Sequence, residues 1–343
     1  MLKAAVIGAT GYAGYETARL LTGHPEVEIT QLGSHSHAGK KFSDIYPNMT
    51  GLCDIICSED SVIPEADVVF TSLPHGISQE IVPNLLEAGR RVIDLSGDFR
   101  YKSAATYEKW YGAAHKRPDL LPGAVYGLTE LNRVNIAAAG LVANPGCYPT
   151  TVILGLAPLM SSDLIDLSSI IADSASGVSG AGRSSEPSYQ FCECAENFKA
   201  YKIASHRHTS EMEEALSILA GKEIMLSFTP HLVPMKRGML TTIYANLPVC
   251  RETCDIIEIY RKFYSDEFFV RVLDEGKLPE TKFTAGTNFL DIGIVVDKRL
   301  SRVIVVSSID NLGKGAAGQA VQNMNVMFGL PERSGLSSPG LYL

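Results

Sequence analysis

The sequence predicts an α/β protein in two parts: a parallel sheet flanked by helices, then an α+β region with an antiparallel or mixed sheet. Three observations carry this. Strand-like and helix-like stretches alternate over the first hundred residues. A glycine-rich turn, Gly8-Ala9-Thr10-Gly11-Tyr12-Ala13-Gly14, leads from the first strand into the first helix. Beyond about residue 150 the strand-like runs lengthen, and two of them flank a short polar loop.

The elements follow in order. Residues 3–7 form a short apolar strand, and 15–21 a helix stopped by Gly23 and Pro25. A second strand covers 27–32, and a third covers 68–73, ending at Pro74-His75-Gly76. Residues 78–88 are helical with Gly89 as the stop, and 91–95 form a fourth strand. Longer strands follow at 224–232, 240–247, 289–296 and 303–309, with 297–301 as a hairpin loop. Ala317, Ala320, Val321, Met324, Met327 and Phe328 recur three or four apart, as on one face of a helix that Gly329 and Pro331 end. At about 150 residues per domain, a chain of 343 holds two.

Composition narrows the function classes. With 45% apolar and 20% charged residues the chain is an ordinary globular protein. Thirty Lys and Arg against 38 Asp and Glu give a net charge of −8, which argues against nucleic acid or an anionic membrane as partner. No apolar run approaches the ~18 residues that span a bilayer, and the first apolar stretch breaks at Gly8 and Thr10, so a cytoplasmic protein is expected. Seven cysteines are too sparse for a disulfide framework. Six fall in pairs (Cys53/Cys57, Cys192/Cys194, Cys250/Cys254), none with the two-residue gap of a zinc knuckle, so no metal is expected.

The glycine turn fits G-x-x-G-x-x-G. Glycines let the backbone approach a pyrophosphate, and the helix that follows offers free N–H groups and the positive end of its dipole. NAD sites carry an acid at the end of the second strand. Here 32–41 holds none, but ends with His35, His37, Lys40 and Lys41, which favours the 2′-phosphate of NADP. None of the fourteen tyrosines has a lysine four residues later, which excludes the short-chain reductase acid pair.

Cys147 stands apart from the paired cysteines. Asn144-Pro145-Gly146-Cys147-Tyr148-Pro149 reads as strand, tight turn and helix start, placing the thiol where the helix dipole favours a thiolate. Near a nicotinamide, such a thiolate attacks an acyl carbon, and hydride completes the reduction. A proton partner is sought among eight histidines, and His206-Arg207-His208 stands out. Ser210 and Glu213 fit a capping box for the next helix. In an extended segment two histidines one apart face opposite ways, so one of them should face Cys147.

These motifs, with Leu73-Pro74-His75-Gly76, the 94–100 run Asp-Leu-Ser-Gly-Asp-Phe-Arg, the 176–183 run Ser-Gly-Val-Ser-Gly-Ala-Gly-Arg, Pro230-His231-Leu232-Val233-Pro234-Met235 and the 311–319 run from Asn311 to Gln319, resemble the N-acetyl-γ-glutamyl-phosphate reductase family over nearly the whole chain. The resemblance implies an NADP-binding Rossmann domain (1–147 and 312–343) and an α+β catalytic and dimerisation domain (148–311) like that of glyceraldehyde-phosphate dehydrogenase. It implies Cys147 as nucleophile and His208, with His206 as rival, as acid/base. Expected cofactor contacts are Gly8, Thr10, Gly11, Tyr12, Ala13, Gly14, Ser34, His35, Lys40, Ser72, Pro74, His75, Gly177 and Asn311. Expected substrate contacts are Ser96, Arg100, Asn144, Arg183, Arg207 and Arg237. A small-molecule substrate, no metal, and a homodimer or homotetramer are implied. Aspartate-semialdehyde dehydrogenase, the aminoadipate-phosphate reductase of lysine synthesis and a non-catalytic NADP sensor are the alternatives. The chain departs from the family pattern at His35 (usually Arg), Gly97 (Ala), Thr129 (Pro) and Ser210 (Pro).

Overall fold

A computed structural model describes residues 1–160, 164–183, 186–340 and 342. Leu341 and Leu343, in the C-terminal stretch for which the sequence suggests no role, lie outside the described residues. The chain separates into two compact units, Met1–Gly146 with Ala316–Ser338, and Cys147–Gly315 with Pro339–Leu343.

The first unit is built on a parallel sheet. Its strands are β1 (Leu2–Ile7), β2 (Val27–Leu32), β3 (Val68–Thr71), β4 (Arg91–Asp94), β5 (Val125–Tyr126) and β6 (Leu141–Ala143), in the order β2-β1-β3-β4-β6-β5. β3 and β6 are buried along their whole length, as expected of strands covered on both faces. One cluster gathers Ala5, Ile7, Val69, Val82, Leu85, Val92, Leu141 and Ala143. Strand order reverses between β1 and β3, so the crevice at their carboxyl ends is the nucleotide position of this fold class. The first helix is Tyr12–Thr22, three residues longer at its start than expected, so the second half of the glycine turn is its first turn.

The second unit carries a mixed sheet. Its strands are β7 (Asp166–Gly177), β8 (Lys199–Ala200), β9 (Ser227–Val233), β10 (Met239–Asn246), β11 (Val270–Val272), β12 (Leu290–Asp297) and β13 (Arg302–Ile309), in the order β11-β12-β13-β10-β7-β9-β8. The four long strands expected are present, and β12 and β13 pair antiparallel across the 297–301 turn. The twelve-residue β7 was not expected. Its serine-rich sequence reads as turn, yet β10 and β9 pair with its two edges and bury Ser174 and Ser176.

One local expectation is corrected, and one helix buries more than its expected apolar stripe. The helix His208–Ala220 begins at the second histidine, and no side chain caps it. Ser210 Oγ instead donates to the Arg207 carbonyl (2.9 Å), so no capping box forms. The last helix, Gly318–Met327, has no polar face: Gln319, Gln322, Asn323 and Asn325 are as buried as its apolar residues. Their amides are paired, Gln319 with Thr129, Gln322 with Glu130 and Glu332, Asn323 with Gly127 and Asn144, and Asn325 with His24. Thr129 thus gives its hydroxyl to this network.

Candidate active site

Gly8 is the keystone of the glycine turn. It lies at φ +77°, and a Cβ there would fall 2.3 Å from the Ser72 carbonyl oxygen at the end of β3. Its own carbonyl accepts the Gly11 N–H (3.2 Å) and lies 2.2 Å from where a Gly14 Cβ would be. Gly11 has no such crowding, the nearest atom being 3.6 Å from its would-be Cβ. A narrow backbone cradle at a helix N-terminus results, which fits a dinucleotide pyrophosphate. Thr10 and Ser34 share a 2.7 Å hydroxyl bond, and Tyr46 donates to the Thr10 carbonyl (2.7 Å). Ser34 is fully buried, whereas His35 and Lys40 are exposed at the turn that follows. Tyr12 is exposed and Ala13 half-buried on the first helical turn.

The 73–76 loop is tied to the segment after β4. His75 is exposed, with Nδ1 accepting the Gly97 N–H (2.9 Å) and its ring edge-on to Tyr111. A side chain on Gly97 would meet the Tyr111 hydroxyl at 1.9 Å, so the missing methyl is replaced by a tyrosine oxygen. Ser96 is buried, donating to Asp94 (2.6 Å) and accepting from the Asp98 N–H. Burial pushes the Asp94 carboxyl up. Arg100 bonds the carbonyls of Asn144 and Leu95, and the Asn144 amide bonds Ala316 and Asn323. Ser96, Arg100 and Asn144 therefore shape loops rather than present free groups at a surface.

In the second unit Cys147 is the first residue of the helix Cys147–Met160, with Pro149 in its first turn. The thiol thus sits at the positive end of a fully buried helix. That helix is pinned by Thr151, which bonds Tyr148 O and Thr241 Oγ1 (2.8 Å each), and by Ser307, which donates to Thr151 O. Cys147 is partly exposed, and its Cβ lies 2.8 Å from where a side chain on Gly315 would begin.

The ring of Tyr148 gathers the histidines. His206 lies edge-on to it at 5.5 Å and His208 at 5.9 Å, and the two imidazoles are 4.8 Å apart. They do not point to opposite faces, because the helix starts at His208 and removes the extended geometry. His206 Nδ1 accepts the His208 N–H (3.2 Å), which puts its proton on Nε2. Burial among Tyr148, Tyr201 and Phe228, aided by the charges of Lys202 and Arg207, lowers its pKa to about 4. The Tyr148 hydroxyl meets Tyr201 (3.1 Å) and donates to His231 O (3.3 Å), and burial raises both phenols.

Asn311 spends its amide inside the unit, accepting from the Gly238 N–H (2.8 Å) and donating to Ser179 (3.0 Å). A Cβ on Gly177 would press on the Lys236 carbonyl at 2.9 Å, so Gly177 serves a close backbone crossing. Arg237 pairs with the buried Asp310, which also accepts the N–H groups of Gly286, Leu312 and Gly313. Arg183 is exposed and Arg207 half-buried. The sequence reading passed over Tyr148, Tyr201, Asp310 and Asp60. Sequence spacing does not mark their roles, because Tyr148 meets Tyr201 across 53 residues, Asp310 meets Arg237 across 73 and Asp60 meets Gly8 across 52.

Comparison with known proteins gives the relatives. The family model "Semialdehyde dehydrogenase, NAD binding domain" matches residues 3–139, and "Semialdehyde dehydrogenase, dimerisation domain" matches 147–311. The chain is 60% identical to the N-acetyl-gamma-glutamyl-phosphate reductase of Acetivibrio thermocellus and 52% identical to that of Halothermothrix orenii, each over the full length of both chains. Among solved structures, aspartate semialdehyde dehydrogenase II of Vibrio cholerae, complexed with ASA, matches with a TM-score of 0.73 at 18% identity, covering 96% of this chain and 98% of that one. The Candida albicans aspartate semialdehyde dehydrogenase with NADP gives 0.73 at 21%, with the same coverage. These two share the fold.

Proposed function

The chain belongs to the semialdehyde dehydrogenase family, and from that premise we propose that it reduces N-acetyl-L-glutamyl 5-phosphate to N-acetyl-L-glutamate 5-semialdehyde with NADPH, releasing phosphate, as a step of arginine synthesis. The observation that carries the chemistry is Cys147 at a helix N-terminus, with both histidines gathered on the ring of the next residue. NADPH, held on the Gly8–Gly14 cradle with exposed His35 and Lys40 available to a 2′-phosphate, supplies the hydride.

The Cys147 thiolate attacks the acyl carbon, forming a C–S bond as the C–O bond to phosphate breaks. Hydride addition to the thioester gives an oxyanion, whose collapse expels the thiolate and leaves the aldehyde. His206, neutral with its proton on Nε2, suits donation to that oxyanion rather than proton exchange. Proton transfer then falls to His208. Arg207, Arg183 and Arg237 are the cations of this unit's loops proposed to meet the phosphate and carboxylate.

A homodimer or homotetramer belongs to the same reading. Val295, Ile304, Tyr244 and Ile171 form one row across β12, β13, β10 and β7, on the face opposite the Cys147 helix. Ile171 and Val295 are 39% and 38% exposed, an apolar face suited to a second copy. Among the described residues no helix is long and apolar enough to cross a membrane, and a cytoplasmic location completes the reading.

The test runs the reaction backwards. Phosphate-dependent NADP reduction is expected with N-acetylglutamate semialdehyde, and at most trace rates with the aspartate and aminoadipate semialdehydes. Preference for aspartate semialdehyde would overturn the substrate assignment. NADP binding without any turnover would favour a sensor.

His206 also makes a prediction about stability. Its folded pKa is lowered from 6.5 to about 4, so between those values the unfolded chain takes up a proton that the folded chain refuses. Stability should therefore fall as pH drops through that window, by roughly 3 kcal/mol from this group when complete. Urea unfolding of wild type and His206→Asn should show a smaller acid-side loss in the variant. Parallel losses would contradict the burial of a neutral imidazole.

A further inference from the structure

The keystone of the glycine turn is held by a residue far from it in sequence. Ser58 pairs with the end of β2, donating its N–H to Leu32 O (2.9 Å) while its carbonyl accepts the Ser34 N–H (2.8 Å). This single parallel bridge carries Asp60 over Gly33. Only a glycine admits it there, because a Cβ on Gly33 would lie 2.8 Å from Asp60 Oδ1. That oxygen accepts the Gly8 N–H at 3.0 Å. The Gly8 carbonyl, in the next peptide along, receives the Gly11 N–H and lies 2.2 Å from where a Gly14 Cβ would be, so a bond that anchors the N–H on one side of the Gly8 Cα helps hold the carbonyl on the other and with it the cradle.

We propose that Asp60 is a positioning residue for nucleotide binding, anchoring the Gly8 N–H and so the backbone of the turn whose N–H groups receive the pyrophosphate. This rests on the reading that the Gly8–Gly14 turn holds the cofactor. A carboxylate beside an anion site works against phosphate by charge. The useful property of Asp60 is therefore its acceptor oxygen, which a neutral amide also has. The acid missing from β2 is thus replaced by one that serves the turn rather than the ribose.

NADPH affinity is measured by fluorescence titration, with steady-state kinetics alongside, for wild type, Asp60→Ala and Asp60→Asn. Asp60→Ala should bind NADPH about tenfold more weakly, the value of one hydrogen bond to a charged acceptor. Its KM for NADPH should rise to match, with kcat and the KM for the acyl phosphate unchanged. Asp60→Asn should bind as wild type or more tightly. Wild-type affinity in Asp60→Ala would overturn the proposal, as would equal weakening in both variants or a fall in kcat of both. Failure of the wild type itself to bind NADPH would sink the nucleotide reading of the turn, a result separable from the others.

Discussion

Cys147→Ser is expected to abolish turnover, by at least ~10³-fold or about 4 kcal/mol of transition-state stabilisation, while leaving NADPH affinity at the wild-type value. A serine hydroxyl fits the same helix start, so the fold is kept. It is almost wholly protonated at neutral pH, and the dipole that favours a thiolate is too weak to ionise it. The nucleotide cradle lies in the other unit and shares no residue with the site of change. Stopped-flow reduction and NADPH titration on the same preparation separate the two effects. Activity within tenfold of wild type would exclude a covalent route through this sulfur.

Gly14→Ala is expected to have the second largest effect, with NADPH binding weakened on the order of 100-fold, as a displaced backbone cradle loses several hydrogen bonds at once. The added methyl would lie 2.2 Å from the Gly8 carbonyl oxygen and 2.9 Å from Ala9 Cα, and both are backbone atoms that cannot rotate away. Either the helix Tyr12–Thr22 or the Gly8 peptide must move. Overpacking of this kind costs about 1–3 kcal/mol, which a domain of this size survives. Alkylation of Cys147 by iodoacetamide should proceed at the wild-type rate in the variant, because that thiol belongs to the second unit. Normal NADPH affinity would show that the turn is not the cofactor cradle.

Much of the architecture was legible where local pattern and burial agree. β2 matches its expected range to the residue, because a stretch with Val, Ile and Thr interspersed with polar residues and ending at a glycine has few other uses. The first helix start was misplaced, because Gly11 and Gly14 look like loop residues until the carbonyl they must approach is known. β7 was illegible, because its serines find hydroxyl and backbone partners only after β9 and β10 are in place. The buried amides of the last helix are the same case in the first unit. At the candidate site, the cysteine and the histidine pair could be named from sequence, since each sits within a few residues of its own structural cue. Tyr148 as the meeting point of the histidines and the neutral state of His206 could not, since both depend on the packing of His206 against Tyr148, which is distant in sequence. Asp60 reaches Gly8 across 52 residues, and nothing in either local sequence announces the bond.

The central claim is a covalent acyl group on one sulfur. Mixing the protein with N-acetylglutamyl phosphate in the absence of NADPH, quenching in acid and mapping peptides by mass spectrometry tests it most directly. An N-acetylglutamyl group on the Cys147 peptide, formed in step with one equivalent of phosphate and discharged as aldehyde when NADPH is added, is the predicted result. Phosphate release with the acyl group on any other residue, or full turnover with Cys147 never acylated, would contradict it.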